Sequence, residues 1–107
     1  IKSGGEWISS LALESTASVV AGVAEVAAIG LPDRKWGERP CLVVVARPGA
    51  TAGAVEAAIR AEIDDGIAGG RLSKWSAPER ILFVEALPKT SVGKLDKKAL
   101  RASLATQ

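Results

Sequence analysis

Two apolar runs stand so close together in this chain that only one pairing is open to them. Val26-Ala27-Ala28-Ile29-Gly30-Leu31 is apolar on both alternating sets, the pattern of a strand covered on both faces, and Cys41 to Ala46 is a second strand of the same kind. Pro32-Asp33 is expected to break the first strand, and Arg34 to Pro40 to form a polar loop around Trp36-Gly37. Such a loop is too short for a crossover helix, so the two strands must pair antiparallel. Trp36 reads as a packing lid over the sheet edge, with a ligand contact as the competing role.

The segments on either side supply what covers this sheet. Leu13, Ala17 and Val20 recur at the spacing of one helix face after Ser9 or Ser10, either of which can cap it. Thr51 can cap a second helix with Val55, Ile59, Ile63 and Ile67 along one stripe, which Asp65-Gly66 and Gly69-Gly70 are expected to interrupt. Ile81-Leu82-Phe83-Val84 is a short buried strand, and Asp96 followed by Lys97, Lys98, Ala99, Leu100 and Arg101 reads as an N-capped helix. The predicted order is strand pair, helix, two strands, helix, strand, helix. That is an α+β fold, a small antiparallel sheet with helices packed on it, preceded by an N-terminal β-hairpin.

A chain of 107 residues fits one domain spanning 1–107. Folding at this size buries roughly 65% of the unfolded surface, enough for a modest core without metals or disulfides. The complete lack of histidine removes Ser-His and Cys-His catalytic pairs and the usual zinc sites. Cys41 is the single cysteine, lies in an apolar run and reads as a small buried hydrophobe rather than a nucleophile. One unpaired cysteine is compatible with a reducing, cytoplasmic setting. A net charge of +2 is too small to indicate nucleic acid or a membrane surface, and no apolar segment approaches the ~20 residues of a transmembrane helix. With no methionine anywhere, the sequence reads as a processed chain or as a piece cut from something longer.

Two short stretches have chemical potential. Ile1-Lys2-Ser3-Gly4-Gly5-Glu6-Trp7-Ile8 places two extended pieces around a glycine pair suited to a tight turn. It is either a plain hairpin or, with glycines that let a ligand lie on backbone and Trp7 as a flat wall, a narrow substrate passage. Pro88-Lys89-Thr90-Ser91-Val92-Gly93-Lys94-Leu95 joins the last strand to the basic helix, with Gly93 giving Lys94 a movable mount. Gly93-Lys94 echoes the end of a nucleotide phosphate loop, but position 88 is proline and position 95 is leucine, so the motif fails. Lys94 is then either a charge that can be brought to a phosphate or carboxylate, or one of many solvated surface lysines. The five basic residues between Lys89 and Arg101, against the single Asp96, admit the same two readings.

Taken together, Ile1 to Ser9 and Pro88 to Arg101 resemble two core motifs of the adenylate-forming acyl-CoA synthetases, and Val26 to Pro40, with Ile29-Gly30-Leu31-Pro32-Asp33 and Trp36-Gly37-Glu38, resembles the same family. The likeness covers essentially the whole chain and corresponds to the family's mobile C-terminal domain. It implies an acid-thiol ligase: a carboxylic acid and MgATP give an acyl-adenylate and pyrophosphate, and the thiol of coenzyme A then displaces AMP to give an acyl-CoA as the small domain swings between the two steps. On this resemblance Lys94 matches the lysine that contacts the acid and the ATP α-phosphate. Lys2 matches a lysine that assists the second step in some relatives. Ser3, Gly4, Gly5, Glu6 and Trp7 fall in the hairpin that lines the pantetheine passage, and Pro88 to Gly93 become a flexible arm that delivers Lys94.

Further expectations follow from the resemblance. ATP, Mg2+ and coenzyme A serve the full-length enzyme, with Mg2+ not bound by this domain. The hinge and the large N-terminal domain, which is the partner in the same polypeptide, are missing from the sequence, so the isolated chain is expected to be inactive. Gly5-Glu6-Trp7-Ile8-Ser9 looks most like medium- and long-chain fatty acid-CoA ligases. The alternatives are the lid of an adenylation domain that loads a carrier protein, and a binding or regulatory module without chemistry. Acylation of Lys94 would erase the charge needed in the first step.

Overall fold

A computed structural model describes residues 1–105. Among these, the chain forms β1 (Lys2–Ser3), β2 (Glu6–Trp7), α1 (Ser10–Ser18), β3 (Val23–Asp33), β4 (Gly37–Ala46), α2 (Ala52–Ala68), β5 (Arg80–Phe83) and α3 (Lys97–Ala105). This is the expected α+β order. The sheet runs β2-β1-β4-β3, with β5 also paired to β4. β3 and β4 form an antiparallel ribbon from Val23↔Ala46 to Asp33↔Gly37. The other edge of β4 is shared: β1 meets it antiparallel at Ser3↔Gly37, and β5 lies parallel along Cys41 to Val44.

Period-two alternation along the ribbon separates two cores. Ala28, Leu42 and Val44 face α1 and α2, where Leu13, Ala17, Val55, Ile59 and Ile63 are buried against them. Ala27, Ile29, Cys41 and Val43 face the opposite way, under Leu87 and the α3 residues Leu100 and Leu104. Both faces of the ribbon are thus covered, which is why its strands carry apolar residues at successive positions. At about 25 cal/mol per Å2 of apolar surface, burying a side chain such as Leu42 contributes roughly 2 kcal/mol.

The caps follow local chemistry. Ser9 Oγ accepts the Ala12 N–H at 3.1 Å, and Asp96 Oδ1 accepts the Ala99 N–H at 2.9 Å. Thr51 holds the N-cap position of α2 without a side-chain bond.

Three expectations need correction. β3 runs through Pro32-Asp33 instead of stopping there. It is an edge strand, and Pro32 shares the phase of Ala28, whose N–H points away from β4 to Glu14, so no ladder bond is lost at the proline. The polar loop shrinks to Arg34–Trp36, because Asp33 Oδ1 accepts the N–H groups of Lys35 and Trp36, both at 2.9 Å, and β4 starts at Gly37. Asp65-Gly66 lies inside α2; a Cβ at Gly66 would stand 2.9 Å from Leu72 Cδ1, so the glycine makes room for a core side chain rather than ending the helix.

Candidate functional site

The two stretches singled out in the sequence both fold into hairpins, and they are built differently. In the first, Lys2 pairs with Trp7 and Ser3 with Glu6 around Gly4 and Gly5, whose φ angles of 59° and 85° suit a type I′ turn. Trp7 is 74% exposed, and the Lys2 ammonium stands 5.3 Å from the centroid of its ring. Ser3 is the opposite case, buried to 1%.

Trp36 packs beneath this hairpin, in keeping with a packing lid at the sheet edge, while the hydrogen bonds of Glu38 and Arg39 to the hairpin were not anticipated. The Gly4 N–H donates to the Trp36 carbonyl at 2.7 Å, and the Gly4 Cα lies so close to the Trp36 ring that a Cβ there would come within 2.9 Å. Trp36 and Trp75 rings lie 5.6 Å apart, tilted by 40°. The Lys2 N–H donates to Glu38 Oε1 at 2.9 Å. Arg39 donates to Ser3 Oγ at 3.0 Å, to the carbonyls of Trp75 and Ala77 at 3.3 and 3.0 Å, and to Glu79 at 3.2 Å. Trp36, Glu38 and Arg39 are supports that read as loop residues in the sequence. Their partners lie up to 40 positions away, beyond any local pattern; polar residues beside a Trp-Gly pair were the only signal.

The second hairpin is closed by its own hydrogen bonds. Lys89 and Leu95 form an antiparallel bridge, the Gly93 N–H donates to the Thr90 carbonyl at 2.9 Å, and the Thr90 N–H donates to the Lys94 carbonyl at 2.6 Å. Thr90 Oγ1 also accepts the Lys94 N–H at 3.2 Å. Gly93 has φ of 85°, as a three-residue hairpin loop closed by a glycine bulge requires. Lys94 therefore stands on a closed turn whose shape is set by its own backbone. Ion pairs flank the turn: Lys89 to Glu25 at 2.5 Å before it and Lys97 to Glu14 at 2.8 Å after it. Glu14 also accepts the Ala28 N–H at 2.9 Å, so it joins α1, the open edge of β3 and the start of α3. Lys89 and Lys97 are thereby neutralised, while the exposed Lys94 ammonium has no ion-pair partner among the described residues.

The structure brings Lys2, Ser3, Gly4, Gly5, Glu6 and Trp7 together in one hairpin and sets Lys94 elsewhere. The first hairpin joins the ribbon at Gly37, the register mate of Asp33; the second is tied to Glu25 near the other end. At about 3.3 Å per residue, Glu25 and Asp33 lie about 26 Å apart along β3. Cys41 belongs to neither site: burial pushes its thiol above the ordinary value of 9.0, partly opposed by the charge of Arg80, and it serves the core.

Residues 12–94 match the family model of the AMP-binding enzyme C-terminal domain. The chain is 48% identical over 101 residues to the 3-methylmercaptopropionyl-CoA ligase of Ruegeria pomeroyi, covering 94% of this chain and 17% of that protein. It is 41% identical to the long-chain-fatty-acid–CoA ligase of Thermus thermophilus, with the same coverage. Among solved structures, the Mycobacterium tuberculosis fatty acyl CoA synthetase superposes with a TM-score of 0.81 at 38% identity, over 99% of this chain and 20% of that one. The chain thus spans about a fifth or less of the length of these relatives.

Proposed function

Because the chain belongs to the AMP-binding enzyme C-terminal domain family, we propose that it is the mobile catalytic lid of an acyl-CoA synthetase that presents its two hairpins in turn to one active site. The observation that carries this reading is their placement at opposite ends of the β3–β4 ribbon. One rigid body cannot offer both ends to the same substrate at once, so rotation between steps supplies what a fixed pose cannot.

In the first step the carboxylate of the acid attacks the ATP α-phosphate and displaces pyrophosphate, and negative charge crowds at the α-phosphorus. Lys94, uncommitted to any ion pair and held on a closed turn, supplies a preorganised positive charge there. In the second step the Lys2–Trp7 hairpin lines the passage of the coenzyme A thiol, with Gly4 and Gly5 giving side-chain-free backbone and Lys2 assisting displacement of AMP. This reading assigns the Mg2+ of MgATP to the large domain. The acid is proposed to be a medium- or long-chain fatty acid, supported by the two relatives named for fatty acids. The Ruegeria relative, named for a methylmercaptopropionyl product, makes a short thioether acid the rival substrate.

The test is Lys94→Ala in a full-length ligase carrying this domain, with the half-reactions measured separately. Adenylate formation should fall by roughly 10² to 10³, the usual cost of losing one preorganised donor. Thioester formation from supplied acyl-adenylate should survive; equal loss of both steps would overturn the assignment. A panel of fatty and thioether acids distinguishes the two substrate classes.

A further inference from the structure

Resting on that reading of the first hairpin, we infer that Arg39 is the positioning residue of the thioester-forming face. β1 and β2 have two residues each, and a ribbon this short does not hold its shape alone in water. Its ladder contact to the rest of the sheet is the single position Ser3↔Gly37. What lies under it decides where it stands.

Arg39 provides that support. Its side chain is 16% exposed, and Nη1, Nη2 and Nε together reach Ser3 Oγ, the Trp75 and Ala77 carbonyls and Glu79. The planar fork of a guanidinium serves these directions at once; an ammonium cannot. Ser3 is buried to 1%, so its hydroxyl has little water to replace a lost donor. The same guanidinium holds the 75–79 segment, which has no regular structure before Arg80, and that segment carries the Trp75 ring packed on Trp36 under Gly4. Arg39 thus joins the hairpin to an otherwise irregular segment. None of its partners belongs to the Lys94 hairpin, so the support is local to one face.

The experiment measures both half-reactions for Arg39→Lys, Arg39→Met and Ser3→Ala in the full-length ligase, at matched folded fraction. Adenylate formation should change by less than about twofold, while thioester formation from supplied acyl-adenylate drops at least about tenfold for both arginine variants, chiefly as a raised KM for coenzyme A. Ser3→Ala removes one acceptor and should move the same parameter by roughly threefold. A parallel fall in both half-reactions would mean that Arg39 merely maintains the fold, and no change in either would mean that the hairpin stands without it; both overturn the inference. If Arg39→Met does not fold, Arg39→Lys and Ser3→Ala decide. Lys94→Ala in the same assays separates the premises: if it spares adenylate formation, the reading of the site itself fails, whereas if it behaves as expected and the Arg39 variants do not split the steps, only the role of Arg39 falls.

Discussion

The two hairpins of this domain use the same backbone device and opposite means of attachment. Each turns on glycine at positive φ, Gly4 and Gly5 in one and Gly93 in the other. The N-terminal hairpin is tied down from below, by the Trp36 carbonyl, the Arg39 fork and a serine closed off from water. The Lys94 hairpin is closed by its own hydrogen bonds and tied at the surface by Lys89–Glu25, with both partners 43% exposed, and by the less exposed Lys97–Glu14. A shielded hydrogen-bonded network defines one geometry, whereas surface ion pairs contribute only about 0 to 1 kcal/mol each and are screened by salt. On the proposed reading, a passage that must fit a thiol needs the former, and a lysine that must reach a phosphate tolerates the latter.

The largest expected effect is the one already described for Lys94→Ala, a fall of roughly 10² to 10³ in adenylate formation. It would show that the loosely tied hairpin carries the charge chemistry. Next come the turn glycines, which share φ strain but differ in surroundings. Gly4→Ala places a Cβ 2.9 Å from the Trp36 ring and should destabilise its hairpin by about 1 to 3 kcal/mol, read as lower Tm and slower thioester formation. Gly93→Ala has nothing within 4 Å of the new Cβ, so only the backbone term of about 1 to 2 kcal/mol remains, with the loss confined to adenylate formation. Equal effects of the two on both half-reactions would erase the distinction.

A smaller effect tests the means of attachment directly. Glu25→Gln should slow adenylate formation about twofold at low ionic strength and be indistinguishable from the parent at 1 M salt, where charges are screened beyond about 3 Å. Thioester formation should show no such salt-dependent difference. The smallest effect is common to both hairpins. The Cys41 thiol is raised by burial, so its contribution to stability is complete below the pKa of an unfolded cysteine, near 9.0, and is lost as pH rises through the higher folded value. Denaturant midpoints measured up to pH 10.5 should fall less steeply in Cys41→Val than in the parent, with no preference for either half-reaction.

Much of the scaffold was legible because its signals are local. Val55, Ile59 and Ile63 recur at the helix period and are all buried, and Ser9 and Asp96 cap by reaching three residues ahead. The misreadings share one cause. Pro32 reads as a strand breaker, yet it does no harm on an edge strand with its ring nitrogen turned outward; Gly66 reads as a helix breaker, yet the absence of a side chain is what admits Leu72. Edge position and a neighbour across the core are tertiary facts.

The candidate site divides along the same line. Residue types alone marked Lys94 and the Lys2–Trp7 stretch, because a glycine pair and a glycine before a lysine open turn conformations closed to other residues. Closure of the Lys94 turn depended on Thr90 meeting both Gly93 and Lys94, and the footing of the other hairpin on Arg39 meeting Ser3 and Glu79, 36 and 40 residues away. Short-range periodicity and turn chemistry act between residues already held together by the chain, so most of the elements, and the residues for which a chemistry is proposed, could be read from the sequence by itself. Which element stands on which support, and at which end of the ribbon each hairpin lies, was decided only by the tertiary structure, because hydrogen bonds and ion pairs between distant residues form only once core packing has brought them within reach.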